Sequence, residues 1–262
     1  MSARHGVVIL GSGNVASALA PVLDSAGYPV RQVFSRTVGN AQALAAMLPQ
    51  AVAVDTYDSI VRDAALYVVS LTDTSIPAVA EAMANTGGLW VHTSGGVPAC
   101  MLSPASAEYG VLYPLQTFSK GRTVDFSEVP LFIEGNSPET FAKIKDIAER
   151  ISNYVSEADS AKRLRLHAAA VFACNFVNYL WSNADSILTA GGESLEVLYP
   201  LIKETLAKAM AISPYAAQTG PARRGDTAVT DRHATVMTPR QENLYRIIAG
   251  EIADTYLKDT PL

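Results

Sequence analysis

The sequence predicts an α/β protein, with an N-terminal doubly wound sheet followed by an all-helical C-terminal domain. Two observations predict this fold class. Short apolar runs alternate with helical patterns through the first part of the chain, and nearly every pattern after that part is helical. We therefore expect one domain over residues 1–157 and a second over residues 158–262.

The elements of the first domain follow one another at the spacing of parallel strands joined by helices. Val7–Leu10 is a β-branched run without alternation, which is typical of a strand buried on both faces. A helical pattern over 14–26 ends at Gly27, a natural C-cap. The further predicted strands are 30–34, 51–54, 66–71, 89–92, 109–113 and 130–133, and the further helices are 38–48, 75–85 and 138–151.

The second domain is predicted to consist of helices 161–189, 193–211 and 239–257, with a shorter helix and an exposed loop over 212–238. In the first of these helices, neutral polar residues form one stripe on an otherwise apolar surface. The stripe comprises His167, Asn175, Asn178, Ser182 and Asp185. Because a solvent-facing stripe would normally hold Lys and Glu, we expect a largely buried helix whose stripe faces a cleft or a partner subunit. Hydrogen bonding inside the helical domain is the alternative.

Composition excludes several classes of protein. The net charge of −5 argues against a broad basic surface for nucleic acid. No apolar stretch reaches the roughly 18 residues of a membrane span. Cys100 and Cys174 lie far apart without metal-ligand spacing, so we expect free thiols and no metal site. With no room for a signal peptide before the first strand, we expect a cytoplasmic protein.

The first chemical motif is the turn Gly11-Ser12-Gly13-Asn14-Val15-Ala16, a GxGxxA sequence between a buried strand and a helix. Gly11 permits the tight turn, Gly13 lets the backbone approach a pyrophosphate, and Ala16 keeps the helix near the sheet. The phosphates would then lie against the N-terminus of the helix. The motif predicts a Rossmann domain that binds a dinucleotide through Gly11, Ser12, Gly13, Asn14 and Val15; a glycine turn without a ligand is the alternative.

The tip of the second strand predicts which dinucleotide is bound. Domains specific for NAD usually place Asp or Glu there, but this chain has Ser35-Arg36-Thr37. Arg36 offers a fork of donors for a 2′-phosphate, and Ser35 and Thr37 offer hydroxyls, which favours NADP. A solvated surface arginine is the alternative. Leu71, Thr72 and Asp73 follow the fourth strand and should line the same crevice, although Asp73 could equally cap the next helix.

Several segments resemble the Rossmann-like family of NADP oxidoreductases that have a helical C-terminal domain of poorly defined function. The segments are VVILGSGNVASALA at the N-terminus, VHTSGG at 91–96, GVLYPLQTFS at 110–119, HAAAVFACNFVNYL at 167–180 and QTGPARRGD at 218–226. This family is similar to pyrroline-5-carboxylate reductase and, more distantly, to the 6-phosphogluconate and 3-hydroxyisobutyrate dehydrogenases. The resemblance implies an oxidoreductase that associates through its C-terminal domain.

Two departures limit what the resemblance implies about mechanism. Hydroxyacid dehydrogenases of this superfamily carry a catalytic lysine four residues before an asparagine. If Asn175 is that asparagine, the lysine position is Val171, so the lysine-dependent mechanism does not carry over. In GVLYPLQTFS, Tyr113 stands where a histidine is expected.

The leading hypothesis is hydride transfer between NADPH and a small carbonyl or imine substrate. Ser94, His167 and Asn175 are the candidates for proton donation or relay, all expected where the two domains meet. A non-catalytic dinucleotide sensor is the alternative, since no unambiguous acid or base is visible, and exchange between NADP and a deazaflavin is a third. The apolar C-terminal region predicts a homodimer through residues 160–262.

Overall fold

The computed structural model describes residues 6–257. The apolar runs that were predicted as strands all form strands. The strands are β1 (Val7–Leu10), β2 (Val30–Phe34), β3 (Val52–Val54), β4 (Leu66–Val69), β5 (Leu89–His92), β6 (Glu108–Pro114), β7 (Leu131–Gly135) and β8 (Val155–Glu157). The helices among them are α1 (Asn14–Ser25), α2 (Val38–Ala45), α3 (Ser75–Ala82) and α4 (Pro138–Glu149).

All eight strands belong to one sheet, in the order β3-β2-β1-β4-β5-β6-β7-β8. The chain winds outward from β1 to β3 and then returns to β4, so the strand order reverses between β1 and β4, as the doubly wound prediction requires. The first six strands are parallel. The carboxyl ends of β1 and β4 therefore lie side by side at the switch point, where ligands bind in open α/β sheets.

The last two strands differ from the parallel arrangement that we predicted. β7 runs antiparallel to β6, and β8 pairs with β7 in parallel. The connection between β6 and β7 contains only a 3₁₀ turn at Phe126–Glu128 and lacks the α-helix that usually forms the crossover between parallel strands. The short edge strand β8 was not predicted.

Alternate residues of the strands enter two separate cores, because side chains in a strand point to opposite faces. Ile9 and Val68 pack with α1, α2 and α4 on one face of the sheet. Leu10, Val69 and Trp90 pack with α3 on the other. The sheet is thus covered by helices on both faces, which explains why β1, β4 and β5 are fully buried and lack alternation.

The predicted helix over 161–189 is interrupted. It consists of α5 (Ser160–Ala170), a π-helical turn at Val171–Phe176, and α6 (Val177–Ala190). The chain divides into two compact units within this turn, between Phe172 and Ala173. The N-terminal unit thus extends past the predicted boundary at 157/158, because α5 contacts the loops of the sheet. A functional division at that boundary stays a prediction.

The second unit is helical throughout its described part. After α6 it contains α7 (Tyr199–Ile212), two short helices, α8 (Pro214–Ala217) and α9 (Thr227–Ala234), and α10 (Pro239–Leu257). Over residues 6–257, none of the helices has the length and apolar character that crossing a membrane requires.

Candidate active site

The turn between β1 and α1 leaves the N-terminus of the helix open. Gly11 has a φ of +124°, and a Cβ at this position would lie 2.2 Å from the carbonyl oxygen of Ser70, so only glycine fits. Gly13 is the N-cap of α1 and supplies no capping side chain, and a Cβ there would meet no atom within 4 Å. The first N–H groups of α1 are therefore available to a ligand, as in helix termini that bind phosphate.

The other residues of this motif have different surroundings. Ser12 is buried in the turn, and Val15 packs against the core on the α1 side of the sheet. The side-chain amide of Asn14 donates a hydrogen bond to the carbonyl oxygen of Phe118, at 2.9 Å. Asn14 therefore ties the start of α1 to the segment that follows β6.

The tip of β2 presents an unpaired positive charge. Arg36 is exposed, and its guanidinium forms no hydrogen bond or ion pair with any side chain or backbone atom among residues 6–257. Thr37 is the N-cap of α2, and its backbone N–H donates to the hydroxyl of Ser35 at 3.4 Å. Three potential phosphate donors thus surround the start of α2.

The loop after β4 lies at the switch point beside the turn that contains Gly11. The hydroxyl groups of Thr72 and Ser75 are 2.8 Å apart, and Leu71 packs against the core on the α3 side. The N-cap of α3 is Thr74, without a side-chain cap, so Asp73 does not cap this helix. A Cβ at Gly96 would lie 3.3 Å from the carboxylate of Asp73, so the loops after β4 and β5 approach each other here.

The loop after β5 is organised by Ser94. Its Oγ accepts hydrogen bonds from the backbone N–H groups of Gly96 and Val97, at 3.0 and 3.1 Å. Its own N–H donates to Nδ1 of His92 at 3.2 Å. The Ser94 hydroxyl therefore shapes the loop as an acceptor, and its O–H can still donate a proton to another group.

His92 is a fully buried, neutral histidine beneath this loop. Because Nδ1 accepts the Ser94 N–H, the ring proton is assigned to Nε2, which has no hydrogen bond among the described residues. Burial, and then the positive charge of Arg163, lower the pKa of His92 to about 3, while the carbonyl of Pro98 acts in the opposite direction. His92 thus supports the loop and does not exchange protons near neutral pH.

Arg163 on α5 fixes the far side of the same loop. It is fully buried, and it donates to the carbonyl oxygens of Val97 and Ala158, both at 2.9 Å. Its guanidinium also forms an ion pair with Glu134 on β7. A buried cation is tolerated only when it is paired and hydrogen-bonded. The partners of Arg163 lie on β7 and in the loop after β5, so its contacts hold these elements to α5.

The structure brings Tyr113 and His167 together beside Gly95. The Tyr113 hydroxyl is 3.1 Å from Nδ1 of His167, and burial raises the pKa of Tyr113. A Cβ at Gly95 would lie 2.8 Å from Cβ of His167 and 2.9 Å from Cζ of Tyr113, so glycine is required for this close approach. Two predicted catalytic residues, Ser94 and His167, therefore lie at one loop, and Tyr113 joins them.

Asn175, the third predicted catalytic residue, lies in the π-helical turn on the other side of the unit boundary and is exposed. The polar stripe that included Asn175 was predicted for a regular α-helix. The π-helical turn changes the angle between His167 and the stripe residues that follow it in the sequence. None of the residues of α6 is buried in the single chain, which differs from the largely buried helix we expected.

The QTGPARRGD segment forms a turn stabilised by its own contacts. The Asp226 carboxylate caps α9 by accepting the N–H of Val229 at 3.2 Å. Arg223 donates to the carbonyl of Gln218 and lies over the ring of Tyr256, 5.2 Å from its centre. These contacts give both side chains a structural role within the second unit.

Sequence reasoning missed Arg163 and Tyr113 as parts of this site. The sequence offered one signal, the tyrosine at the position where a histidine was expected in the 110–119 segment. Arg163 gave none, because its role depends on loops that only the tertiary fold brings together. The loop from His92 to Gly96 was expected to line the crevice because it follows the fifth strand, but the burial of the His92 ring beneath it was not predicted.

Comparison with known proteins agrees with this architecture. Residues 1–117 match the model of a Rossmann-like domain, and residues 129–252 match the model of a domain of unknown function, DUF2520. A reductive aminase from Aspergillus terreus, solved with NADPH and ethyl-5-oxohexanoate, is 14% identical with a TM-score of 0.69, covering 98% of this chain and 95% of that one. An imine reductase from Streptomyces aurantiacus is 18% identical with a TM-score of 0.63, covering 97% and 94%. These two likenesses show the fold.

A nearer relative shows the family. The crystal structure of a putative NADP oxidoreductase from Bacteroides fragilis is 38% identical to this chain, with a TM-score of 0.91 over 96% of this chain and 98% of that one. No protein of curated function matches the sequence. The chain therefore belongs to the family of NADP oxidoreductases in which a Rossmann-like domain precedes a DUF2520 domain.

Proposed function

We propose that this protein is an NADP(H)-dependent reductase that transfers a hydride to a small carbonyl or imine substrate. Its family makes it an oxidoreductase, and the relative from Bacteroides fragilis is named for NADP. The reductive aminase and imine reductase with the same fold support a substrate with a polarised C=O or C=N bond. Hydride transfer to such a bond needs a positioned acceptor and one proton for the oxygen or nitrogen.

The residues of the N-terminal unit fit the cofactor. The uncapped N-terminus of α1 would hold the pyrophosphate, with Gly11, Ser12, Gly13, Asn14 and Val15 forming the turn. Ser35, Arg36 and Thr37 would hold the 2′-phosphate, and Leu71, Thr72 and Asp73 would line the path to the nicotinamide. Internal packing places no atom near a Cβ at Gly13, so close approach of a ligand is the simplest reason for glycine there.

The observation that carries the catalytic proposal is the Tyr113–His167 hydrogen bond beside the β5 loop. NADPH, when bound, supplies the hydride. The Tyr113 O–H donates the proton to the substrate oxygen or nitrogen, and the phenolate that remains regains a proton from solvent along its hydrogen bond with Nδ1 of His167. Ser94 holds the loop and can donate a further hydrogen bond to the substrate. A role for Asn175 stays a prediction.

This pair also favours a reductase over a dinucleotide sensor. A sensor requires only the cofactor contacts, whereas a phenol hydrogen-bonded to an imidazole at the carboxyl ends of the strands is an arrangement suited to proton transfer.

Tyr113→Phe and His167→Ala test the proposal. Small cyclic imines and ketones would be screened with NADPH, and each variant should lose about 10²- to 10⁴-fold in turnover, as when a single acid or base is removed. NADPH affinity should change little, because these groups act only on the reacting atoms. Tyr154→Phe, an exposed tyrosine in the same unit, is the matched control.

Unchanged turnover in both variants would contradict the catalytic assignment. Tight NADPH binding without turnover on any substrate of the panel would support the sensor instead.

We also propose that the protein is a homodimer formed by the C-terminal helices. α6, α7 and α10 contain no buried residue in the single chain, although they carry many large apolar side chains. Two-fold dimers are the commonest way to bury such a surface. The cytoplasm is the proposed location, supported by the unpaired, exposed thiols of Cys100 and Cys174.

A further inference from the structure

A cleft of about 370 Å³ lies beside the β1–α1 turn, between α1, α2 and the segment after β6. Its floor is apolar and includes Val22 and Leu44, while Ser12, Asn40, Lys120 and Arg122 supply polar groups. None of the residues lining it is acidic. The cleft therefore combines space for a flat apolar group with two positive charges.

The two cations are held on a defined turn, Ser119–Arg122, which we call the basic turn. The N–H of Arg122 donates to the carbonyl oxygen of Ser119 at 3.2 Å, and Gly121 has a φ of +78°. Positive φ at the third position is the requirement of a type II turn, and glycine meets it without strain. Lys120 and Arg122 thus flank the tip of a regular turn.

The basic turn is anchored on both sides. The rings of Phe118 and Phe126 stack with centres 5.7 Å apart in the core beneath α1. The Asn14 amide holds the Phe118 carbonyl at 2.9 Å, which links the turn to the first residue of α1. The turn is therefore fixed relative to the helix N-terminus that would bind phosphate.

The charges of the basic turn are uncompensated. Lys120 and Arg122 are exposed, and across residues 6–257 neither side chain forms an ion pair or hydrogen bond. The carboxylate nearest in sequence, Asp125, is occupied by the backbone N–H and the hydroxyl of Ser127. In a chain with a net charge of −5, two unpaired cations in an acid-free cleft favour an anionic ligand.

We propose that the basic turn binds the 2′-phosphate of NADP(H), with Lys120 and Arg122 acting alongside Arg36 as determinants of cofactor choice. The proposal rests on the proposed function. The cleft extends from Ser12 in the glycine turn to Asn40 on the first turn of α2, whose N–H donates to the Thr37 carbonyl at 2.9 Å. It thus joins the pyrophosphate turn to the strand tip that holds the ribose in Rossmann domains.

The test is a calorimetric titration of the full-length protein with NADPH and with NADH. Lys120→Ala combined with Arg122→Ala should raise the Kd for NADPH about fivefold, the size expected for two solvent-exposed ionic contacts. The Kd for NADH should stay within about twofold, since NADH lacks the phosphate. Lys145→Ala on α4 is the control for the loss of a positive charge away from the cleft. The double variant Lys120→Arg with Arg122→Lys keeps both charges and should keep the preference for NADPH over NADH.

Three other outcomes of these titrations would overturn the inference, and each has a different meaning. An unchanged Kd for NADPH shows that the cations do not touch the phosphate. Equal losses for NADPH and NADH show that they serve the shared pyrophosphate or the fold, and a melting curve distinguishes these. If the wild-type protein binds neither dinucleotide, the proposed function itself fails.

Discussion

The two compact units differ in how much apolar surface each of them buries. The N-terminal unit has a continuous core on both faces of its sheet, with Ile9, Leu10 and Trp90 fully buried. Between Ala173 and Leu257, Ala234 is the only buried residue among those described, and Met210 is 79% exposed. Because apolar burial is the main force that stabilises a fold, the first unit carries its own core, and the dimer that we propose would bury the apolar surface of the second.

The largest predicted effect follows from this contrast. Leu206→Glu combined with Met210→Glu places charges on the exposed apolar surface of α7. Burying each such side chain contributes about 1.5–3 kcal/mol, so the four lost in a two-fold dimer amount to about 6 kcal/mol or more. We expect the wild type to scatter light as a dimer of the 27.8 kDa chain and the variant as a monomer.

Leu206→Met, which keeps the surface apolar, should remain dimeric. A monomeric wild type at micromolar concentration would contradict the dimer, and the contrast between the units would then need another explanation.

The next effect concerns the buried histidine of the first unit. His92 has a pKa of about 3 when folded and about 6.5 when unfolded, so below pH 6.5 the unfolded state binds more protons. The free energy of unfolding should therefore fall as the pH is lowered from about 6.5 toward 3, by about 5 kcal/mol in total from this group. Urea titrations across this range measure the slope.

His92→Asn keeps an acceptor for the Ser94 N–H and removes the titration, so its acid slope should be shallower than that of the wild type. His233→Asn is the matched variant in the second unit, where the histidine is exposed and hydrogen-bonded to Tyr245 at 2.9 Å. Parallel slopes for wild type and His92→Asn would contradict the assignment.

The difference in apolar burial between the two units also explains which features could be predicted from the sequence. Strands β1 to β7 and helices α1 to α4 were predicted because each of them buries apolar residues against the core, and the sequence pattern records that burial. The π turn at Val171–Phe176 was missed because a run of apolar residues carries no signal for an extra residue per turn. Arg163 and Tyr113 were missed as site residues because their partners lie elsewhere in the sequence.

The smallest predicted effect is on the preference for NADPH over NADH, and it tests whether the first unit alone forms the cofactor site. NADPH should bind at least about tenfold more tightly than NADH, equivalent to about 1.4 kcal/mol, and Arg36→Ala should remove most of that preference. All the cofactor residues that we propose lie before Phe172, in the unit that buries its own core. The preference should therefore be the same in the wild type and in the monomeric α7 variant. If the monomeric α7 variant lost NADPH binding, the second unit or a partner chain would be needed to complete the cofactor site. Equal affinities for NADPH and NADH in the wild type would refute the role of Arg36.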